Sequence, residues 1–172
     1  AGDGDDLIYS MQQNGITIYG GNGKDTIYAL SGGNTVYGGD GDDRIEIAFN
    51  PLSTSVDTLI GDAGNDVILA GDRNSIIFGD DAASSLSGNN LNDTLTGGAG
   101  DDQIFGGAGQ DRILAGLGND RLDGGNDNDV VFGAGGFDTL WGGQGADVLQ
   151  GGEGNDTLSG EAGDDKLVGD EG

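Results

Sequence analysis

The chain has 172 residues, 39 of them Gly and 31 acidic against six Lys plus Arg, and its formal charge is −25. That charge repels phosphates and argues against a nucleic-acid partner, and with neither Cys nor His the chain has no disulfides, no thiolate or imidazole zinc site and no His-based catalysis. No apolar run approaches the ~20 residues of a membrane span.

Such a composition ordinarily marks disorder, yet apolar residues make up 34% of the chain and fall at regular places. From Ala1 the sequence reads AGDGDDLIY and, after the extra residue Ser10, MQQNGITIY, GGNGKDTIY, ALSGGNTVY and GGDGDDRIE. A segment from Ile47 to Ile60 carries about five extra residues around Asn50-Pro51. Then come GDAGNDVIL, AGDRNSIIF, GDDAASSLS and GNNLNDTLT, the last two poor in glycine. From Gly97 eight nonapeptides follow without a gap, from GGAGDDQIF to GEAGDDKLV. Each starts with Gly or Ala and has Asp sixth and an aliphatic residue eighth. The eighth position is Ile, Leu or Val in all eighteen repeats, from Ile8 through Leu86 to Leu167.

Each repeat therefore predicts a turn at positions one to six and a short strand at seven to nine. Gly at one, two and four opens backbone angles closed to residues with a Cβ. In a strand, neighbours alternate faces, so position eight points in while seven and nine point out. One nonapeptide buries its aliphatic residue only against a partner sheet. Two repeats per turn supply that, giving an all-β two-sheet solenoid of about nine 18-residue turns. We read 1–172 as one domain: 1–96 degenerate with an insertion near 47–56, 97–172 regular. The mid-repeat break at Gly169–Gly172 suggests a piece of a longer protein.

Sixth-position residues then align every second repeat. One edge is expected to carry Asp6, Asp25, Asp43, Asp66, Ser84, Asp102, Asp120, Asp138 and Asp156. The other carries Ile16, Asn34, Asp57, Ser75, Asp93, Asp111, Asp129, Asp147 and Asp165. Carboxylates stacked about 5 Å apart repel one another without a cation. Calcium takes six to eight oxygen ligands in flexible geometry, which suits Asp rows and glycine-turn carbonyls better than magnesium's tight octahedron. The thin aliphatic core also calls for a further source of stability.

The motif resembles the RTX (repeats-in-toxin) family, whose consensus is G-G-x-G-x-D-x-U-x with U large and aliphatic. The resemblance implies a right-handed parallel β-roll with calcium ions between adjacent turns. Carried over by position, it implies metal ligands at Asp6, Asp25, Asp43, Asp66, Asp93, Asp102, Asp111, Asp120, Asp129, Asp138, Asp147, Asp156 and Asp165. Ten intact pairs imply about ten ions, or about +20 against the −25. Ile16, Asn34, Ser75 and Ser84 are not anionic, so Ser84 is expected to break the first row, and the second to hold little calcium before Asp93. Leu91 at position four weakens the Asp93 site, while Asp127 at that position tolerates the left-handed region.

Eight of ten aromatics occupy position nine: Tyr9, Tyr28, Phe105 and Trp141 expected on one sheet, Tyr19, Tyr37, Phe78 and Phe132 on the other. They fit an exposed partner or glycan surface, or strand-favouring neighbours stacking on each other. Gly23-Lys24 lacks the rest of a phosphate loop, and the repeated acidic pairs define no unique catalytic site. The expected function is an extracellular, secreted or cell-surface module without enzyme activity, whose folding depends on calcium. Self-association in a surface layer, adhesin or filament fits it. The alternative is an accessory tail of a secreted enzyme or pore-forming toxin.

Overall fold

The computed structural model describes residues 1–11, 15–30, 32–48, 55–71, 75–80 and 92–172. The strands are β1 (Gly2–Asp3), β2 (Leu7–Ser10), β3 (Thr17–Asn22), β4 (Thr26–Leu30), β5 (Thr35–Asp40) and β6 (Arg44–Ala48). They continue with β7 (Asp57–Ala63), β8 (Val67–Leu69), β9 (Ser75–Asp80), β10 (Thr94–Ala99), β11 (Gln103–Ala108) and β12 (Arg112–Leu117). The last are β13 (Arg121–Asn126), β14 (Val130–Gly135), β15 (Thr139–Gln144), β16 (Val148–Glu153), β17 (Thr157–Ala162) and β18 (Lys166–Glu171). Among the described residues, odd strands form one nine-stranded sheet and even strands the other, each strand parallel to its neighbours two elements away. This is the expected two-sheet β-solenoid, with about eight turns between β2 and β18.

Every described eighth-position residue from Ile27 to Leu149 is fully buried, and the row forms one continuous core. Stacking like on like sets this register: Leu122 sits beside Ile104 on one side and Leu140 on the other. Positions seven and nine face outward, as alternation requires, save Ile60 at a ninth position, which is 4% exposed. Leu86, expected in the core, lies outside the described residues, as do Phe49, Asn50 and Pro51 of the insertion.

The strands run longer than expected. In β15 pairing extends through Trp141 into Gly143 and Gln144, which sit beside Gly125 and Asn126. Repeats stacked directly over one another keep their hydrogen bonds through the glycine pair, so the ladder ends only at the third position. The three-residue turn is laddered too; for example, the Gly145 N–H donates to the Ala162 carbonyl at 2.9 Å. Gly143 and Gly145 take φ of 103° and 148°, angles that glycine adopts without Cβ strain. Asp127 holds φ 74° at a fourth position, as expected of Asp. The first-position glycine does not enter the left-handed region, so its identity has another cause.

The aromatic rows also differ from expectation. Phe105 lies in β11 and Trp141 in β15, on the sheet of Tyr19 and Tyr37, whereas Phe132 lies in β14 on the sheet of Tyr9 and Tyr28. Both corrections follow from one extra repeat between β9 and β10. Tyr9 stacks on Tyr28 at 5.1 Å, Tyr19 on Tyr37 at 4.9 Å and Phe78 on Phe105 at 5.1 Å, each pair nearly coplanar. The rings thus turn faces toward each other, the arrangement of strand neighbours, while Tyr9 and Tyr19 stay largely exposed.

Candidate metal centre

The sixth-position side chains point inward. Asp25, Asp43, Asp57, Asp66, Asp93, Asp102, Asp111, Asp120, Asp129, Asp138 and Asp147 are all at most 2% exposed. On the first edge each Oδ1 accepts the backbone N–H of the Asp one turn before it. The series runs Asp6 to Asp25, Asp43, Asp66, Asp93, Asp111, Asp129, Asp147 and Asp165, at 2.7 to 3.0 Å. On the second edge the order is Ile16, Asn34, Asp57, Ser75, Asp102, Asp120, Asp138 and Asp156.

Two edge assignments are thereby corrected. Asp66 is followed by Asp93, 27 residues on instead of 18, so the first row does not break at Ser84, which lies outside the described residues. From Asp93 onward every sixth-position Asp sits on the edge opposite to the one expected. The first edge carries eight adjacent Asp pairs and the second three, eleven in all. The second edge lacks carboxylate pairs up to Asp102: Asp57 stands between Asn34 and Ser75 and accepts the N–H groups of Asn34 and Gly32.

The other carboxylate oxygen carries the chemistry. Oδ2 of Asp25, Asp43, Asp66, Asp102, Asp120, Asp129, Asp138, Asp147 and Asp156 is buried without a hydrogen-bond partner. Except at Asp120, whose repeat starts with Ala115, it lies in a cradle formed by the first-position glycine. A methyl group built on Gly20 would sit 2.4 Å from Asp25 Oδ2 and 2.3 Å from the Gly38 carbonyl oxygen. On Gly142 it would sit 2.4 Å from Asp147 Oδ2 and 2.8 Å from the Gly160 carbonyl. Glycine serves here for room rather than for backbone freedom, and Ala115 before Asp120 is the largest residue at this position in a repeat with a paired Asp. In the cradles from Gly20 to Gly142 a carboxylate oxygen and the next turn's carbonyl oxygen converge, and neither is a donor.

Buried carboxylates without a counter-charge cost several kcal/mol each, roughly, unless they are neutralised. The ion pairs Lys24–Asp42 and Arg44–Glu46 lie at the surface, away from these oxygens. Burial instead pushes the carboxyls up, to about 8 for Asp66, about 7 for Asp102 and Asp129, and about 6 for Asp43 and Asp120. The backbone N–H bond opposes this, while neighbouring acids add to it. Among the described residues no three acidic side chains converge on one point. A cation held here would therefore draw on paired Asp and main-chain carbonyls, the all-oxygen donor set of a hard dication. Bound there, calcium supplies the positive charge that the rows lack.

The chain was compared with protein-family models. The model described as RTX calcium-binding nonapeptide repeat matches residues 17–46, 53–83, 87–122, 109–140 and 141–172. The chain belongs to this family. Comparison with curated proteins finds no match. As an RTX chain it is a calcium-binding repeat module, and the buried, unsatisfied oxygens fit that ion.

One functional row escaped the sequence reading. Fifth-position Asx side chains cap the neighbouring turn: Asn119 N–H donates to Asp101 Oδ1 at 2.8 Å, Phe137 N–H to Asn119 Oδ1 at 3.0 Å and Gln110 N–H to Asn92 Oδ1 at 2.7 Å. The signal was the recurrence of Asp or Asn just before the sixth-position Asp. It satisfies turn N–H groups that the strand ladder does not reach.

Proposed function

We propose that the chain is an extracellular structural and binding module in which each of the eleven adjacent Asp pairs clamps a calcium ion, so that calcium switches the segment from unfolded to rigid. Asp6, Asp25, Asp43, Asp66, Asp93, Asp111, Asp129, Asp147 and Asp165 form one ligand row; Asp102, Asp120, Asp138 and Asp156 form the other. The observation that carries this reading is the series of buried Oδ2 atoms lacking any donor. A roll with that many uncompensated acids is unstable, and an ion that binds only the folded state adds its binding free energy to folding. Low calcium inside a cell keeps such a segment unfolded for export; higher calcium outside folds it. The chain carries out no catalysis of its own, and the two stacked parallel sheets suit self-association in a surface layer, adhesin or filament.

Circular dichroism during a calcium titration, with an EGTA control, tests the switch. Disorder is expected without calcium and β-structure with it, at roughly 10⁻⁴–10⁻³ M for an extracellular module. Identical spectra in both conditions contradict it. Light scattering with and without calcium tests self-association, and a monodisperse monomer in calcium contradicts the filament role.

A further inference from the structure

Strands β9 and β10 are consecutive in the chain, and residues 81–91 separate them outside the described set. Across this interval β8 pairs with β10 and β9 with β11, each through three register pairs, where β10 and β12 share five. The two edges are unequal at this level. On the second edge the Ser75 N–H donates to Asp102 Oδ1 at 2.6 Å, but serine brings no carboxylate. On the first, the Asp66 N–H donates to Asp93 Oδ1 at 2.7 Å.

Asp66 is 1% exposed and its Oδ2 has no hydrogen-bond partner. A methyl group on Gly61 would lie 2.2 Å from that oxygen and 2.4 Å from the Gly79 carbonyl oxygen, so the two oxygens converge. Gly79 in turn cradles Asp93: a methyl group on it would lie 2.2 Å from Asp93 Oδ2 and 2.4 Å from the Gly106 carbonyl. In the regular repeats cradle glycine and Asp are five residues apart, as in Gly97 and Asp102. Here the fold reassembles the same cradle from Gly79 and Asp93.

Resting on the calcium reading above, we propose that Asp66 and Asp93, with the Gly79 carbonyl, form a calcium site whose ion is the single carboxylate-bridged joint between the two halves of the roll. Three Asp pairs lie before this joint and seven after it. Without its ion the halves are held together by hydrogen bonds and core contacts alone, and the half richer in pairs folds first.

The full chain carries its own reporters. All four tyrosines, Tyr9, Tyr19, Tyr28 and Tyr37, precede the joint, and the one tryptophan, Trp141, follows it. In a calcium titration the wild type is expected to show tyrosine and tryptophan fluorescence changing together. In D66N/D93N, Asn keeps each Oδ1 acceptor and removes the charge. The tryptophan change is then expected to come first, with the tyrosine change at about tenfold higher calcium. D120N/D138N also removes three pairs, but all of them beyond the joint, and is expected to move both signals together. Deleting residues 82–90 restores 18-residue spacing between positions 66 and 93 and is expected to keep one shared transition. The joint is overturned if the wild type already splits, if D66N/D93N stays coincident or loses both signals, if D120N/D138N splits as widely, or if the deletion separates the signals. A wild type indifferent to calcium overturns the calcium reading itself.

Discussion

Gly142→Val is expected to lower the melting temperature in calcium by about 6–12 °C, from ~3 kcal/mol of overpacking at 2–4 °C per kcal/mol for a domain of this size. It is also expected to remove the two ions that involve Asp147. The branched side chain enters the space between Asp147 Oδ2 and the Gly160 carbonyl, 2.4 and 2.8 Å from where its Cβ would stand. The natural sequence carries a larger side chain at this position at Ile47, where no carboxylate pair follows. On the stretch of the second edge without carboxylate pairs the first position is Ala29, Ile47 and Ala70, all buried in the core cluster. The sixth-position residues there are Asn34, Asp57 and Ser75. Where the edge is filled with side chains, it no longer offers paired carboxylates. Ala115, before Asp120, shows that one methyl is tolerated, which is why valine is the informative change. Thr139→Val, on the outer face, should alter neither melting nor ion count. Unchanged calcium stoichiometry in Gly142→Val, measured by metal analysis after dialysis, contradicts the cradle's role.

Acid should substitute for calcium. In the metal-free roll burial holds Asp66 near 8, Asp102 and Asp129 near 7, and Asp43 and Asp120 near 6. The unfolded chain releases the same protons near the ordinary carboxylate value of about 4. Between these limits the folded state binds more protons, so a rise in pH destabilises it. The stabilisation is complete below about 4 and is lost progressively as pH climbs through 6 to 8. The calcium-free chain is therefore expected to hold β-structure near pH 4 and to lose it towards pH 8. Calcium binding should strengthen over the same range as protons leave its ligands. Circular dichroism in EDTA across this range checks the first part. Equal disorder at pH 4 and pH 8 contradicts it. Light scattering must accompany the measurement, since the isoelectric point is about 4.1 and association is favoured there.

The core and the period were legible from the sequence because each eighth-position aliphatic residue has a single inward direction in a strand. Ile27, Leu122 and Leu149 are buried as their alternation requires. The edge assignment was not legible beyond Asp66. An extra segment of one repeat length leaves a nine-residue period intact, so counting in nines records nothing. The coil, however, repeats every eighteen residues, and nine extra residues send every later Asp to the opposite edge. The warning sign lay in GDDAASSLS, which lacks both the sixth-position Asp and most of the glycine of the regular repeats. The burial of the Asp rows was hidden for a different reason. Composition places aspartate at the surface by default, and only the stacked turns show that Oδ1 is tied to the backbone of the preceding turn while Oδ2 faces the first position of its own repeat.

Calcium anomalous scattering from crystals grown in calcium addresses the clamped rows directly. Eight peaks are expected along the edge running from Asp6 through Asp66 and Asp93 to Asp165, and three along the other, between Asp102 and Asp156. Well-formed turns without peaks beside Asp111, Asp120 and Asp129, or peaks of equal strength beside Ile16, Asn34 and Ser75, would contradict the account.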